Sequence, residues 1–381
     1  MQPTSNSAEA IACPFRAKWR YRGSASAGSR ACRRHRLRAG RLETGVPAKG
    51  AARSGSISWF ERGRALSDLR GIMPDMNTFT IVPTGAYSLR ESAEFGFGGR
   101  SSDRWDGVMR MAFCLDGYRT QVGVEVRQDD AGVHGVVHGA SRAEGELARN
   151  QVARVLSLDH DASGFVDVGR RDPVIAQLLE VAPGLLPPLF YSPYEAAVWS
   201  IISARRPAKQ MAEVRRRLSE AHGRSFRLAG QEVAAVPTPE QLLEVQEFPG
   251  LTEEKISRLH GIARKAMSGT LDVERLAHIG PDATTDDMKR LKGIGPFYAS
   301  LITIRAVGFA DVPPADEPML RELVTQLYRL PEPCSRETFL ELAEAWRPYR
   351  TWAAVLIRAA SGRLGRNAPV APSRVQARRT G

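Results

Sequence analysis

Two glycines and a proline within four residues constrain this 381-residue chain more than any other feature. They stand in the run Leu291-Lys292-Gly293-Ile294-Gly295-Pro296-Phe297-Tyr298-Ala299. A helix does not run through Gly-x-Gly-Pro. Glycine adopts the turn conformations that other residues resist. Proline lacks an N–H and clashes with the preceding turn unless it opens a helix. A helix from Thr285 must therefore end near Leu291, reverse tightly, and restart with Pro296 at its first position. The N–H groups of the restarting helix have no intrahelical partner and sit at the positive end of its dipole. A phosphate suits such a place. The same nine residues also fit a plain turn between packed helices, and the local sequence does not separate the two.

Around this hairpin the chain changes texture twice. Phe79-Thr80-Ile81-Val82, Met109 to Leu115, Gln121 to Val126 and Val133 to Val137 read as strands, with Val122, Val124 and Val126 alternating onto one face. Asp116-Gly117 and Ala131-Gly132 supply the turns of antiparallel hairpins. A helix follows from Ser141 to Leu158. From about Val168 the apolar spacing is helical throughout. Tyr194, Ala197, Val198, Ile201 and Ile202 share one stripe. Further helices are expected over 211–222, 238–245, 252–267, 285–291, 297–307, 318–328, 336–345 and 350–360, punctuated by Gly and Pro. The expected fold class is α+β: a small antiparallel β-rich domain over 77–167, then an all-helical domain over 168–361.

Charge is unevenly spread. The chain carries +12 in all, of which residues 1–72, with 15 Lys and Arg against four acids, hold +11. Residues 362–381 add five arginines and no acid, so the segment between is weakly negative. Global charge thus points to two basic tails and says nothing of the body's partner. The first segment is Gly/Ser/Ala/Arg-rich without a period, which reads as disordered. It fits an upstream extension with the true start at Met73 or Met76, a basic arm, or an Arg- and Ser-rich targeting peptide. Four cysteines, at 13, 32, 114 and 334, lack CxxC spacing and fit a reducing compartment. No metal site is expected from His134, His138, His160, His222, His260 and His278, which show no ligand spacing. No apolar run is long enough for a transmembrane helix.

Past the hairpin come Asp311-Val312-Pro313-Pro314-Ala315-Asp316-Glu317-Pro318-Met319-Leu320 and Trp346-Arg347-Pro348-Tyr349-Arg350-Thr351-Trp352-Ala353. With the hairpin, and with Tyr191-Ser192-Pro193-Tyr194-Glu195-Ala196 and Phe248-Pro249-Gly250-Leu251-Thr252-Glu253-Glu254-Lys255 before it, this combination resembles the helix-hairpin-helix DNA glycosylase superfamily. It looks most like the 3-methyladenine DNA glycosylase II type, and the likeness extends back to Asn77.

The resemblance implies a monofunctional glycosylase that hydrolyses the N-glycosidic bond of damaged, chiefly alkylated, bases in double-stranded DNA, the first step of base-excision repair. A monomer in the cytoplasm at the nucleoid is expected, with an organelle left open by the Arg- and Ser-rich N-terminus. No cofactor is required, though hairpin carbonyls can hold a monovalent cation in this family. Gly293, Ile294, Gly295, Lys292 and Arg205 are the DNA-binding candidates, and Phe297 falls on the family's base-stacking position; Tyr194 and Trp199 are further base-pocket candidates by their aromatic content, which reads more readily as core packing. The catalytic aspartate position falls on Glu317, with Asp316 before it as the alternative. The strand-cleaving members' lysine position is Phe297. Ala204 and Arg358 also depart from the family pattern, Arg358 at an aromatic pocket position. These departures favour the alternative, a catalytically inactive helix-hairpin-helix DNA-binding protein. Taken without the hairpin, acid at 316 and 317 before Pro318 reads as an ordinary helix start.

Overall fold

Alternation and hairpin turns close a four-stranded antiparallel sheet. The computed structural model describes residues 77–95 and 105–364. The readings of residues 1–72 and of the tail beyond 364 lie outside these. Strands β1 (Asn77–Ile81), β2 (Met109–Cys114), β3 (Gln121–Asp129) and β4 (Gly132–His138) pair in the order β1-β4-β3-β2. The register sets Met111 opposite Val124 and Val124 opposite Val137. A short helix, α1 (Leu89–Phe95), lies between the first two strands. Val122, Val124 and Val126 are fully buried, with Met111 and Phe113, against Ala148, Val152 and Val155 of α2 (Arg142–Val155). Burying each such aliphatic chain contributes roughly 1.5–3 kcal/mol. Ser141 and Glu144 close a capping box at the start of α2.

The other face of the sheet is covered from the helical half. Between α6 (Ala208–His222) and α7 (Pro239–Glu244) the chain forms a β-hairpin, β5 (Ser225–Leu228) and β6 (Gln231–Ala234). The ring of Phe226 lies on Gly123, where a Cβ would sit 2.7 Å from it. Arg110 donates to the Leu228 carbonyl at 3.0 Å, and the Ala229 N–H donates to Glu125 at 2.7 Å. The second half is therefore not all-helical. Four-residue strands are too short to show a period in sequence. The boundary expected at 167/168 also falls inside a helix, α3 (Val166–Arg171).

The helices divide between two cores. One surrounds α5 (Pro193–Ser203), every residue of which is buried. Against it pack α6, α8 (Glu253–Met267), α9 (Val273–Ile279), α10 (Pro281–Lys289) and α11 (Pro296–Ile302). The other joins α3 and α4 (Pro173–Val181) to α12 (Pro318–Leu327), α13 (Arg336–Ala343) and α14 (Arg350–Ala360). At its centre Asp172 is buried but fully engaged. One oxygen accepts the Val174 and Ile175 amides at the start of α4. The other accepts the Tyr328 hydroxyl at 2.6 Å and the Trp346 indole N–H at 2.8 Å. A buried carboxylate so supplied repays part of its desolvation.

Candidate active site

The hairpin is built by two glycines with different tasks. Gly293 has φ +95, a left-handed conformation that only glycine adopts freely. It also lies where a Cβ would meet Ile201 Cδ1 and Arg258 Cδ at 2.8 Å, so a side chain there is excluded twice. Gly295 has φ −86 and nothing within 4 Å of a Cβ placed on it. Its surroundings are open to an approaching partner. Between them Ile294 is buried in the core, and its N–H closes the turn onto the Leu291 carbonyl at 3.0 Å. The expectation that Ile294 offers an amide to DNA is thereby corrected: it anchors the hairpin and its amide is spent. No side chain caps α11, so its first-turn amides face outward from Gly295. Lys292 is exposed beside them.

Phe297, on the first turn of α11, stays 39% exposed, an uncommon position for so large an apolar side chain. Tyr298 turns inward to share a hydrogen bond with the Ser203 hydroxyl at 2.9 Å. The other two base-pocket candidates go elsewhere. Tyr194 is fully buried, donates its hydroxyl to the Pro237 carbonyl at 2.9 Å, and packs on Tyr118. Trp199 is buried in the same core. Neither offers a ring face to a base; both fill the space around α5.

After α11 the chain widens into one π-helical stretch, Thr303–Val307, and ends at Gly308 with φ +100. The extra residue per turn rotates Arg305 into the interior. There Arg305 donates to the Pro188 carbonyl through Nε at 3.2 Å and Nη2 at 2.5 Å, and lies 5.1 Å from the centre of the Phe95 ring. Burial lowers its pKa to about 10, so it remains charged at neutral pH. The segment from Phe309 is then stitched to α14. Thr351 bonds the Phe309 and Val312 carbonyls through its hydroxyl and the Ala310 carbonyl through its N–H. Asp311 accepts from Arg350 at 2.8 Å and from Arg347 at 3.0 Å. The arginines of the Trp-Arg-Pro-Tyr-Arg block are thus used inside the protein, fixing the segment that leads to residues 316 and 317.

That segment sends its two acids in opposite directions. Asp316 is 84% exposed at the side chain and pairs with Arg336 at 3.1 Å. Glu317 stands at the start of α12 without capping it, and turns inward. One of its oxygens lies 3.3 Å from Arg358 Nε. Burial pushes its pKa up, opposed first by Arg358 and then by Arg305. The ordinary role of an acid before a helix proline, capping, is therefore not the one Glu317 performs. Arg358 is committed to that carboxylate.

Arg205 lies exposed on the turn after α5, itself at φ +59. Three further cations gather near it that the sequence alone did not single out as DNA contacts: Arg206, Lys255 and Arg258. Lys255 caps α5 by donating to the Ile202 and Ala204 carbonyls at 2.6 and 3.2 Å. Arg258 rests against Gly293. Their signal in sequence was only a basic i, i+3 pair on α8. Among the described residues no group of three or more His, Cys, Asp or Glu forms a metal site.

No family model matches the chain. It is 23% identical over 229 residues to a DNA-3-methyladenine glycosylase of Bacillus subtilis, covering 56% of this chain and 73% of that one. In structure it is similar to a 3-methyladenine DNA-glycosylase from Archaeoglobus fulgidus, with TM-score 0.62 and 21% identity over 74% of this chain and 98% of the other. It also resembles the Clostridium acetobutylicum 8-oxoguanine glycosylase/lyase in complex with DNA, with TM-score 0.53 and 17% identity over 73% and 93% of the two chains. The uncapped Gly-x-Gly hairpin and the inward carboxylate thus sit on a fold shared with DNA glycosylases. In sequence and in fold the chain is similar to 3-methyladenine DNA glycosylases.

Proposed function

We propose that the protein hydrolyses the N-glycosidic bond of damaged, in the first place alkylated, bases in double-stranded DNA, initiating base-excision repair. The observation that carries this reading is Glu317, an inward carboxylate at a helix start that caps nothing and is held between two arginines. In the reaction the C1′–N bond breaks with both electrons leaving on the base. Water adds its oxygen to C1′; its proton passes to solvent when the lesion is a cationic alkylated base, which the electron pair neutralises, and to the departing base when the lesion is neutral. The sugar carries positive charge at the transition state, and an ionised Glu317 stabilises it there. The Arg358 contact fixes the carboxylate's position, and the Asp311–Arg350–Thr351 clamp fixes the backbone that carries it. Asp316, turned to solvent toward Arg336, is the weaker candidate.

The base must leave the stack, at a cost of a few kcal/mol. Phe297, exposed beside the hairpin amides, is the aromatic available to stack on it. The Gly293 and Gly295 backbone with Lys292 would hold a phosphate next to the lesion, and Arg205 projects from the turn suited to filling the emptied stack. With Phe297 where strand-cleaving relatives carry their lysine, and Lys292 before the first glycine, the enzyme is read as monofunctional. It is read as working as a monomer. The chemistry requires no cofactor. A monovalent cation at the hairpin would be held by main-chain carbonyls, since the acids of α10, Asp286 and Asp287, are taken by Lys289, Arg275 and Arg290. No described helix is long and apolar enough to cross a membrane.

The test is base release from methylated duplex DNA, with strand breaks scored before and after alkali. Release that leaves only alkali-labile sites supports a monofunctional glycosylase. Breaks formed without alkali would make it a lyase. No release from alkylated, deaminated or oxidised duplexes would overturn the reading.

A further inference from the structure

Arginines on the helical half mostly hold carboxylates: Arg216, Arg275, Arg290, Arg336, Arg347 and Arg350 each pair with at least one. The turn after α5 departs from this rule. Among the described residues no carboxylate pairs with Arg205, Arg206, Lys209 or Lys292. Lys255 spends two of its three N–H donors on the α5 carbonyls and keeps one. Arg258 makes one contact, to the exposed Glu254, and its Nε has no acceptor. Of five guanidinium donors, most are thus unused.

These cations are held in place. Lys255 is anchored on Ala204, two residues before Arg206. Arg258 is wedged against Gly293, so the hairpin glycine and the guanidinium fix each other. Lys255 reaches the carbonyl two residues before Arg206, and Arg258 stands one helical turn after Lys255 on α8, so the three charges lie within reach of one another; burial lowers the lysine's pKa, and Arg206 and Arg258 lower it further. Like charges so gathered are a cost to the free protein that a bound anion removes. The planar fork of arginine and the point charge of lysine suit a phosphodiester.

We propose that Arg206, Lys255 and Arg258 form a second phosphate-binding site, abutting the hairpin through Gly293, that takes a backbone phosphate of the DNA. The inference rests on the DNA glycosylase reading and extends it from one phosphate contact to two. The site fixes register along the strand, since two phosphates held at a set spacing leave the duplex less freedom to slide than one.

The test uses the full chain and an undamaged 20-base-pair duplex, with affinity measured from 50 to 200 mM salt. The variants are Arg206→Gln with Arg258→Gln, and Arg216→Gln as a control whose arginine is already paired. Lys255 is left intact because it also caps α5; thermal melts confirm that each variant folds. Loss of one phosphate contact lowers the slope of log affinity against log salt by about 0.9. The wild type's affinity drop over this fourfold salt range should then shrink about 3.5-fold in the double variant and not in the control. An unchanged slope in the double variant, or an equal change in Arg216→Gln, overturns the second site and leaves the glycosylase reading standing. A wild-type chain with neither salt-dependent DNA binding nor base release fails the glycosylase reading itself.

Discussion

Replacing Glu317 by glutamine keeps the side chain's shape and removes its charge, so its consequences follow from the contacts around it. The carboxylate lies 3.3 Å from Arg358 and within electrostatic reach of the buried Arg305. At an effective dielectric of about 20 the nearer contact is a gross attraction of roughly 5 kcal/mol. Most of that offsets the cost of burying the pair, so the net contribution of the charges is small. Removing one partner is another matter. Arg305 would keep its charge in the interior without the nearby anion, and the expected destabilisation is about 3 kcal/mol. On the rate, loss of a preorganised charge facing a cationic transition state costs about 10²–10³-fold. The assay is single-turnover base release from methylated duplex, with thermal melts alongside and temperature kept below the variant's transition. Burial raises the Glu317 pKa above its ordinary 4.5, and the reaction needs the ionised form. Wild-type release therefore falls on acidification at a pH above that of an exposed glutamate, whereas Glu317→Gln lacks this limb. Asp316→Asn, altering an exposed group, should stay within about threefold, as surface changes away from a site do. Full activity in Glu317→Gln with loss in Asp316→Asn would refute the assignment.

Four further outcomes follow from other parts of the structure. Gly293→Ala meets Ile201 and Arg258 at 2.8 Å in a left-handed backbone and should lose at least about 1–2 kcal/mol of stability in chemical denaturation. Gly295→Ala meets nothing and should fold normally, so any DNA affinity it loses in a titration reports contact at the hairpin. Glu195 is buried beside Arg215 and the Cys114 amide, with its pKa pushed up to about 7 by desolvation. The folded state holds this proton more tightly than the unfolded chain. Stability is therefore fullest below about pH 4.5 and falls as pH rises to about 7, by up to about 3 kcal/mol, a slope that Glu195→Gln removes in melts across pH. Asp172→Asn cannot accept from both Tyr328 and Trp346 while capping α4, and should cost about 2–3 kcal/mol in equilibrium unfolding.

Much of this was legible beforehand because it rests on local rules. The strands around Val122, Val124 and Val126 alternate, the helix starts carry Ser141, Ser192, Thr238 and Thr252, and Gly-x-Gly-Pro forces a hairpin. Other parts were not. Phe226 and Leu228 belong to strands of four residues, which carry no period of their own and form because the sheet's open face needs covering. Tyr194 and Trp199 looked like pocket aromatics because aromatic content is visible in sequence and facing is not.

The candidate site divides along the same line. The sequence by itself determined that a helix ends shortly before Gly293 and another opens at Pro296, that two acids precede α12, and that no lysine follows the second glycine. These depend on backbone conformations and residue identities within a few positions. The fate of each acid was decided only in three dimensions. Asp316 and Glu317 are neighbours of the same charge, and nothing local sorts them. Arg358 and Arg305, 41 residues after and 12 residues before Glu317, draw one carboxylate inward, while Arg336 holds the other in solvent. Burial and charge pairing are properties of what the fold brings together, and those partners are set by packing over distances along the chain that no local pattern encodes.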